Sequence, residues 1–526
     1  MIMTGMLAAA AAIAAAAHAG AGSEYERYFG EMRRADEAAD AAWDSCATRE
    51  SFDARRAMMR RVMMDAVGPF PGRTPLNAEV RAVVQRDGYS VEKILFESRP
   101  RFHVTALVFV PDAARFKPPY PAILVPCGHS VNGKASAGYQ RACVMGAKEG
   151  FIVMIYDPID QGERRQRGST DGIGCWGHDQ FGSKAMSLGL SAANFRIWDG
   201  MRAIDYLVSR PDVKADRIGC MGNSGGGTLT AYLMALDGRI KAASPSCYIS
   251  SIRDVVESIG PQDAEQCLYG QLAGGLNHAS LVLAGGCAVR LQFSEKDFFP
   301  LSGAKTTFDV VKRTAARFGL EARYDATIVP GPHGWKESSR RSSLDWMRRW
   351  LMDEPPNGMA SADYAALDKS FDAKTSDMGL AEEDVPVVPG GNVMDLPGER
   401  SVYDVLVDML LGESAPRLVF RESEAARHRF YGSKSPAEEL SMVCQMLGRS
   451  LALDRKEAIL SAAREYAAAH GGEKPHLVAE DSWVKPARMA YEEEPRLFAA
   501  IHVLGDGRFH GVVRGEALRG EAPPSR

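Results

Sequence analysis

The sequence predicts an α/β fold with a mostly parallel sheet and helices on both faces. Two observations carry that prediction. Short apolar runs, among them residues 120–126 and 151–156, alternate with runs of helical spacing such as 194–207, the pattern left by parallel strands joined through crossover helices. Residues 218–221 then read as a buried strand that enters Gly222-Asn223-Ser224-Gly225-Gly226 and leaves as a helix over 228–236. A sharp strand-to-helix bend of this kind lifts its central side chain, Ser224, clear of the sheet and needs small residues on either side.

Each element follows in order. Residues 23–64 are rich in Ala, Arg, Glu and Met at helical spacing and are expected to pack beside the core. Residues 91–96 and 103–110 read as an antiparallel pair at the sheet edge. Residues 120–126 form a wholly apolar strand that runs into Cys127-Gly128-His129-Ser130-Val131-Asn132-Gly133-Lys134-Ala135. That loop nearly matches a phosphate-binding loop, but Ala135 lacks the hydroxyl such a loop needs for magnesium. It is read instead as a source of backbone N–H groups, from Gly128 and His129, for an oxyanion. Residues 151–156 are the next buried strand, followed by the turn from Asp157 through Gln161-Gly162-Glu163-Arg164. A Gly-rich irregular stretch over 165–181 carries Trp176 and His178. Residues 194–207 form the crossover helix, stopped at Ser209-Arg210-Pro211; 240–248, 289–293 and 324–329 are strands, and 342–351 a closing helix.

Composition bounds the function. A chain of 526 residues exceeds one ordinary domain, and 45% hydrophobic with 25% charged is typical of a folded globular protein. The formal net charge of -4 gives no reason to expect nucleic acid or an anionic membrane as partner. Residues 1–19 are Ala-rich and apolar, with Ala17-His18-Ala19 as a small-x-small cleavage site, so a signal peptide and export to the periplasm or medium are expected. No later run is long enough to span a bilayer. The nine cysteines lack Cys-x-x-Cys spacing, which argues against a zinc ribbon. Cys220 and Cys247 read as small core residues, while Cys175, Cys267 and Cys287 lie in loop-like surroundings open to a disulfide. The expected organisation is a leader over 1–19, a helical region over 20–88, a catalytic domain over 89–352, a linker over 353–395 and a C-terminal region over 396–526.

The chemistry follows from Ser224. A serine hydroxyl is a poor nucleophile at neutral pH, so it needs a base in hydrogen-bond reach and an acid to orient that base. The acid is expected at the end of the strand before Ser294-Glu295-Lys296-Asp297; Asp297 is preferred to Glu295, with Asp263 and Glu265 as outside candidates. The base is expected at His333, in Pro332-His333-Gly334-Trp335 beyond the last strand. These parts imply two-step acyl transfer, with the oxyanion held by the N–H of Gly225 and one from the Gly128–His129 loop. No metal or organic cofactor is expected.

Cys127-Gly128-His129, Asp157 with Gln161-Gly162-Glu163-Arg164, Arg196 with Trp198-Asp199, Gly222-Asn223-Ser224-Gly225-Gly226, Asp297 and Pro332-His333 are similar to those of the α/β-hydrolase superfamily, in particular its acetylxylan-esterase-like carbohydrate esterases. The resemblance covers about half the chain, residues 89–351. Glucuronoyl esterases and prolyl-oligopeptidase-like peptidases share the same core. It implies a serine esterase that removes acetyl or other ester groups from plant cell-wall polysaccharide, with Trp176, Phe298, Phe299 and Trp335 as candidates to stack on a sugar or, equally, as core aromatics. A peptidase, and a non-catalytic binding protein on the same scaffold, are the alternatives.

The C-terminal region reads as a degenerate, partial copy of the hydrolase unit. Leu447-Gly448-Arg449-Ser450, then Arg455, parallels Leu188-Gly189-Leu190-Ser191, then Arg196; residues 476–483 parallel the approach to Gly225. Ser482 falls opposite Ser224, but Glu480 and Trp483 replace the glycines, so no catalysis is expected there.

Overall fold

The computed structural model describes residues 22–166, 181–182, 185, 191–260, 263–373 and 376–411, together with 443, 446, 447 and four short strands between 418 and 513. The strands β1 (Glu79–Arg86), β2 (Tyr89–Arg99), β3 (Phe102–Pro111), β4 (Tyr120–Pro126), β5 (Ile152–Tyr156), β6 (Val213–Asn223), β7 (Ile240–Ser246), β8 (Ala288–Lys296) and β9 (Tyr324–Pro332) form one nine-stranded sheet. Its order is β1-β2-β3-β5-β4-β6-β7-β8-β9. β1, β2, β3 and β5 pair antiparallel, and β5-β4-β6-β7-β8-β9 run parallel.

Because a strand's side chains alternate between faces, a strand covered on both sides must be apolar throughout. β4 shows this directly. Ala122 and Leu124 join one buried cluster while Ile123 and Val125 join another; β5 divides in the same way, with Ile152 and Met154 on one face and Val153 and Ile155 on the other. Each such fully buried aliphatic side chain contributes about 1.5–3 kcal/mol.

Helices α1 (Gly22–Asp44), α2 (Arg49–Val67), α3 (Ala137–Lys148), α4 (Ala192–Ser209), α5 (Gly225–Leu236), α6 (Ile252–Ile259), α7 (His278–Ala284), α8 (Leu301–Ala316), α9 (Glu337–Leu351) and α10 (Ser361–Ser370) surround the sheet. Phe52 and Met59 of α2, Ile197 and Ile204 of α4, and Leu229 and Leu233 of α5 pack on the first face; Ala142 and Cys143 of α3 and Trp346 and Met347 of α9 pack on the second. Helix α4 starts where Ser191 accepts the Ala193 N–H through its hydroxyl, satisfying a first-turn donor that the helix itself leaves open.

Two stretches differ from the sequence reading. The sheet begins at Glu79, ten residues before the boundary expected at 89, because β1 pairs along β2 despite its exposed side chains. Residues 353–395, read as a linker, carry α10 and then lie along the sheet, burying Tyr364, Leu380, Val387, Val388 and Val393. Their unpaired backbone is held by Glu163, whose carboxylate accepts the N–H groups of Val387 and Val388 at 2.8 Å each.

Beyond α11 (Val402–Leu411), β10 (Leu418–Arg421), β11 (His476–Glu480), β12 (Phe498–Val503) and β13 (Phe509–Val513) form a second sheet, parallel except for the last pair. The expected leader, Trp176, His178, Cys175 and Ser482 lie outside the described residues. Among the described residues no helix is long and apolar enough to cross a membrane.

Candidate active site

All the parallel strands end at one edge of the sheet, and the loops leaving that edge carry the chemistry. Ser224 sits between β6 and α5 with φ 58° and ψ -127°, a left-handed conformation that costs a non-glycine residue about 1–2 kcal/mol. Its N–H donates to the carbonyl of Ser246 at 2.9 Å, tying the bend to the end of β7. The flanking glycines are there for close approach. A Cβ on Gly226 would lie 2.2 Å from the carbonyl oxygen of Pro126, and one on Gly128 would lie 2.5 Å from that of Asn223.

The structure brings Asp297 and His333 together. Asp297 follows β8 and His333 follows β9, and Asp297 Oδ1 lies 2.8 Å from His333 Nδ1. Oδ1 also accepts the Phe299 N–H at 3.1 Å. The Asp297 side chain is only 3% exposed, whereas that of His333 is 21% exposed. Glu295, the other acid weighed at this strand end, is exposed. With Nδ1 committed to the carboxylate, Nε2 is the imidazole nitrogen left to take a proton. Phe298 covers this pair: its ring stacks on His333 with centroids 4.3 Å apart, and 37% of the residue remains exposed. Trp335, weighed as a sugar-stacking ring or a core aromatic, is buried against Tyr139, rings 5.6 Å apart, and does not line the site as a substrate-binding residue. Tyr139 in turn donates its hydroxyl to the carbonyl of Asn223 at 3.1 Å.

The loop after β4 is clamped from below. Gln161 donates its side-chain amide to the carbonyls of Gly128 and Ser130, both at 2.7 Å. Lys134, the near-match to a phosphate-loop lysine, is buried and turned inward, with Nζ 2.5 Å from both Asp157 Oδ2 and Glu163 Oε2. Burial works against its charge, but the two carboxylates outweigh burial and raise its pKa above the usual lysine value. The loop is therefore pinned by an internal ion cluster and its lysine is not presented to a ligand.

Asp263 and Glu265 face His129, whose Nε2 lies 3.1 Å from Asp263 Oδ2 and 3.5 Å from Glu265 Oε1, and Glu265 is also paired with Arg196. The ring edge of His129 lies against the bend, 3.0–3.2 Å from where a Gly225 Cβ would be. Donor atoms of His129, Asp263 and Glu265 converge within 4.8 Å, a spacing open to a cation, although the Arg196 guanidinium already supplies positive charge there. The sequence reading placed Gln161 in a turn without seeing its two acceptors, weighed Asp263 and Glu265 only as acids for the imidazole, and missed Tyr139. It also took Cys247 for a plain core residue, whereas its sulfur lies within 4.8 Å of Asp297 and His333 donor atoms.

The chain has the α/β-hydrolase fold, with the bend at Ser224 after β6 and Asp297 and His333 after β8 and β9. Residues 32–250 match the abhydrolase family. The chain is 27% identical over 205 residues to YtaP of Bacillus subtilis (strain 168), a protein named as a hydrolase, a match covering 36% of this chain and 64% of that one. Among solved structures, Methylesterase BT1017 aligns with a TM-score of 0.52 at 21% identity, covering 71% of this chain and 78% of that one. A glucuronoyl esterase from Solibacter usitatus aligns at 0.45 and 16% identity over 57% and 94% of the two chains.

Proposed function

We propose that the chain is a serine carboxylic-ester hydrolase that deacylates a carbohydrate, working through Ser224, His333 and Asp297. The observation that carries this reading is the 2.8 Å contact between Asp297 and His333 on the same sheet edge as a strained, helix-capping Ser224. The hydrolase name of YtaP agrees on reaction class, and the exposed ring of Phe298 over the imidazole offers a flat apolar surface to a sugar.

In the first step the Ser224 hydroxyl oxygen bonds to the ester carbonyl carbon while its proton passes to His333 Nε2. Asp297 keeps the imidazole in the tautomer that can accept that proton and stabilises the resulting imidazolium. The negative oxygen would be met by the N–H of Gly225 and one from the loop at Gly128 and His129, each donor contributing about 3 kcal/mol. Collapse breaks the ester C–O bond as His333 returns the proton to the leaving alkoxide. Water then repeats the sequence on the acyl-enzyme and frees the acid.

The test is hydrolysis of acetylated xylan, a methyl glucuronate ester and a peptide amide by the protein and by Ser224→Ala. Ester cleavage lost in the variant is the expected result. Equal activity in Ser224→Ala would remove the serine assignment, and amide cleavage without ester cleavage would make the protein a peptidase.

A further inference from the structure

We infer that the thiol of Cys247 is a positioning residue for Asp297, donating to the carboxylate oxygen that His333 does not use. This role rests on Asp297 being the acid of the proposed triad. Oδ1 takes both His333 Nδ1 and the Phe299 N–H, while Oδ2 is buried without a hydrogen-bond partner. A bare buried carboxylate oxygen is costly, and a carboxylate held by one oxygen alone is free to rotate about its axis. Rotation there would misalign the imidazole.

Cys247 stands beside that gap. Its sulfur, an Asp297 carboxylate oxygen and a His333 ring nitrogen all lie within 4.8 Å of one another. The sulfur also lies 3.5 Å from Ser294 Oγ, and the carbonyl of Gly334, the residue after His333, is a second acceptor for its single proton at 3.7 Å, so it touches both strand ends that carry the pair. The residue is 3% exposed. Burial, and then the charge of Asp297, push its thiol pKa up to about 11, which keeps the proton on sulfur and makes it a donor.

The backbone is strained to put it there. Cys247 has φ 53°, a conformation in which glycine would be at ease. Its N–H donates to the carbonyl of Gln292 at 2.9 Å, fixing the residue between β7 and β8.

The same strain supplies the test. Cys247→Gly accepts the positive φ, which offsets part of the cost of the lost buried thiol, so it should fold yet lose the donor; kcat is expected to fall about fivefold to twentyfold with KM nearly unchanged. The acid limb of kcat/KM should move to higher pH, because a carboxylate with one fewer donor attracts the imidazolium proton more strongly. Cys247→Ser, which keeps an O–H donor, should restore most of the rate and the limb. Unchanged kcat in a folded Cys247→Gly, or equal loss in the Gly and Ser variants with an unmoved limb, would overturn the inference. Ser224→Ala assayed alongside separates the two readings: activity surviving there overturns the triad, whereas activity lost there but intact in Cys247→Gly overturns only the role of the thiol.

Discussion

Gln161 donates its side-chain amide to the carbonyl of Gly128 at 2.7 Å, and the same nitrogen reaches the carbonyl of Ser130 at 2.7 Å. One buried amide thus spans the loop proposed to face the oxyanion, and it fixes carbonyls whose peptide planes also set where the neighbouring N–H groups aim. Gln161→Leu keeps the volume and removes both bonds. Oxyanion donors act mainly on the transition state, so kcat for an ester is expected to fall about tenfold while KM changes less than about twofold. Steady-state kinetics on a chromogenic acetate ester check this, and a rise in KM at constant kcat would count against it.

Tyr139 links the two ends of the proposed triad. Its hydroxyl holds the Asn223 carbonyl next to Ser224, and its ring tilts against Trp335, two residues after His333. Tyr139→Phe keeps the ring contact and leaves that carbonyl without its donor. Stability should drop by about 1 kcal/mol, and kcat should fall about threefold to tenfold. Denaturant unfolding and initial rates on one preparation measure both, and full activity at reduced stability would restrict Tyr139 to a packing role.

The Lys134 cluster gives a larger effect. Its ammonium is buried between Asp157 and Glu163, and Glu163 also holds residues 387 and 388 against the sheet. Removing one partner of a buried ion cluster leaves the remaining charge uncompensated, at a cost of about 3–5 kcal/mol. Lys134→Met is expected to lose that much stability and to expose residues 380–394 to a protease first. Cleavage sites mapped by mass spectrometry in limited proteolysis would decide, and uniform cleavage across the domain would contradict the coupling.

What the sequence disclosed and what it concealed have physical reasons. β4 and β5 were legible because burial on both faces leaves continuous apolar runs, and Ser224, Asp297 and His333 because each follows such a run at the sheet edge. β1 was not, since an edge strand paired on one flank and wet on both faces can be spelled Glu-Val-Arg-Ala-Val-Val-Gln-Arg and still hydrogen-bond along β2. Residues 380–394 resembled a linker because their buried valines follow no period; Glu163, more than two hundred positions away, holds them down. Gln161, Tyr139 and Cys247 make their tertiary contacts with backbone carbonyls, and no local pattern announces such contacts.

Asp36, on α1, tests the electrostatics of the helical layer away from the site. It is fully buried, accepts the Arg253 N–H at 3.3 Å, and has a second oxygen with no partner. Burial first, and the nearby charge of Asp40 second, raise its pKa from 3.8 to about 6, against the weaker pull of Arg253. A pKa raised by folding means that the protonated form favours the fold. That contribution is whole below the unfolded value of 3.8 and is lost as the pH climbs through about 6. At pH 7 the carboxylate is ionised in a place that disfavours it. Asp36→Asn keeps the shape without the charge and should therefore stabilise the protein at pH 7 by roughly 1–3 kcal/mol, a gain that shrinks toward zero near pH 4. Melting curves of parent and variant at intervals from pH 4 to 8 check the slope. A difference independent of pH, or a variant that melts lower at pH 7, would mean that Arg253 rather than burial governs the ionisation of Asp36.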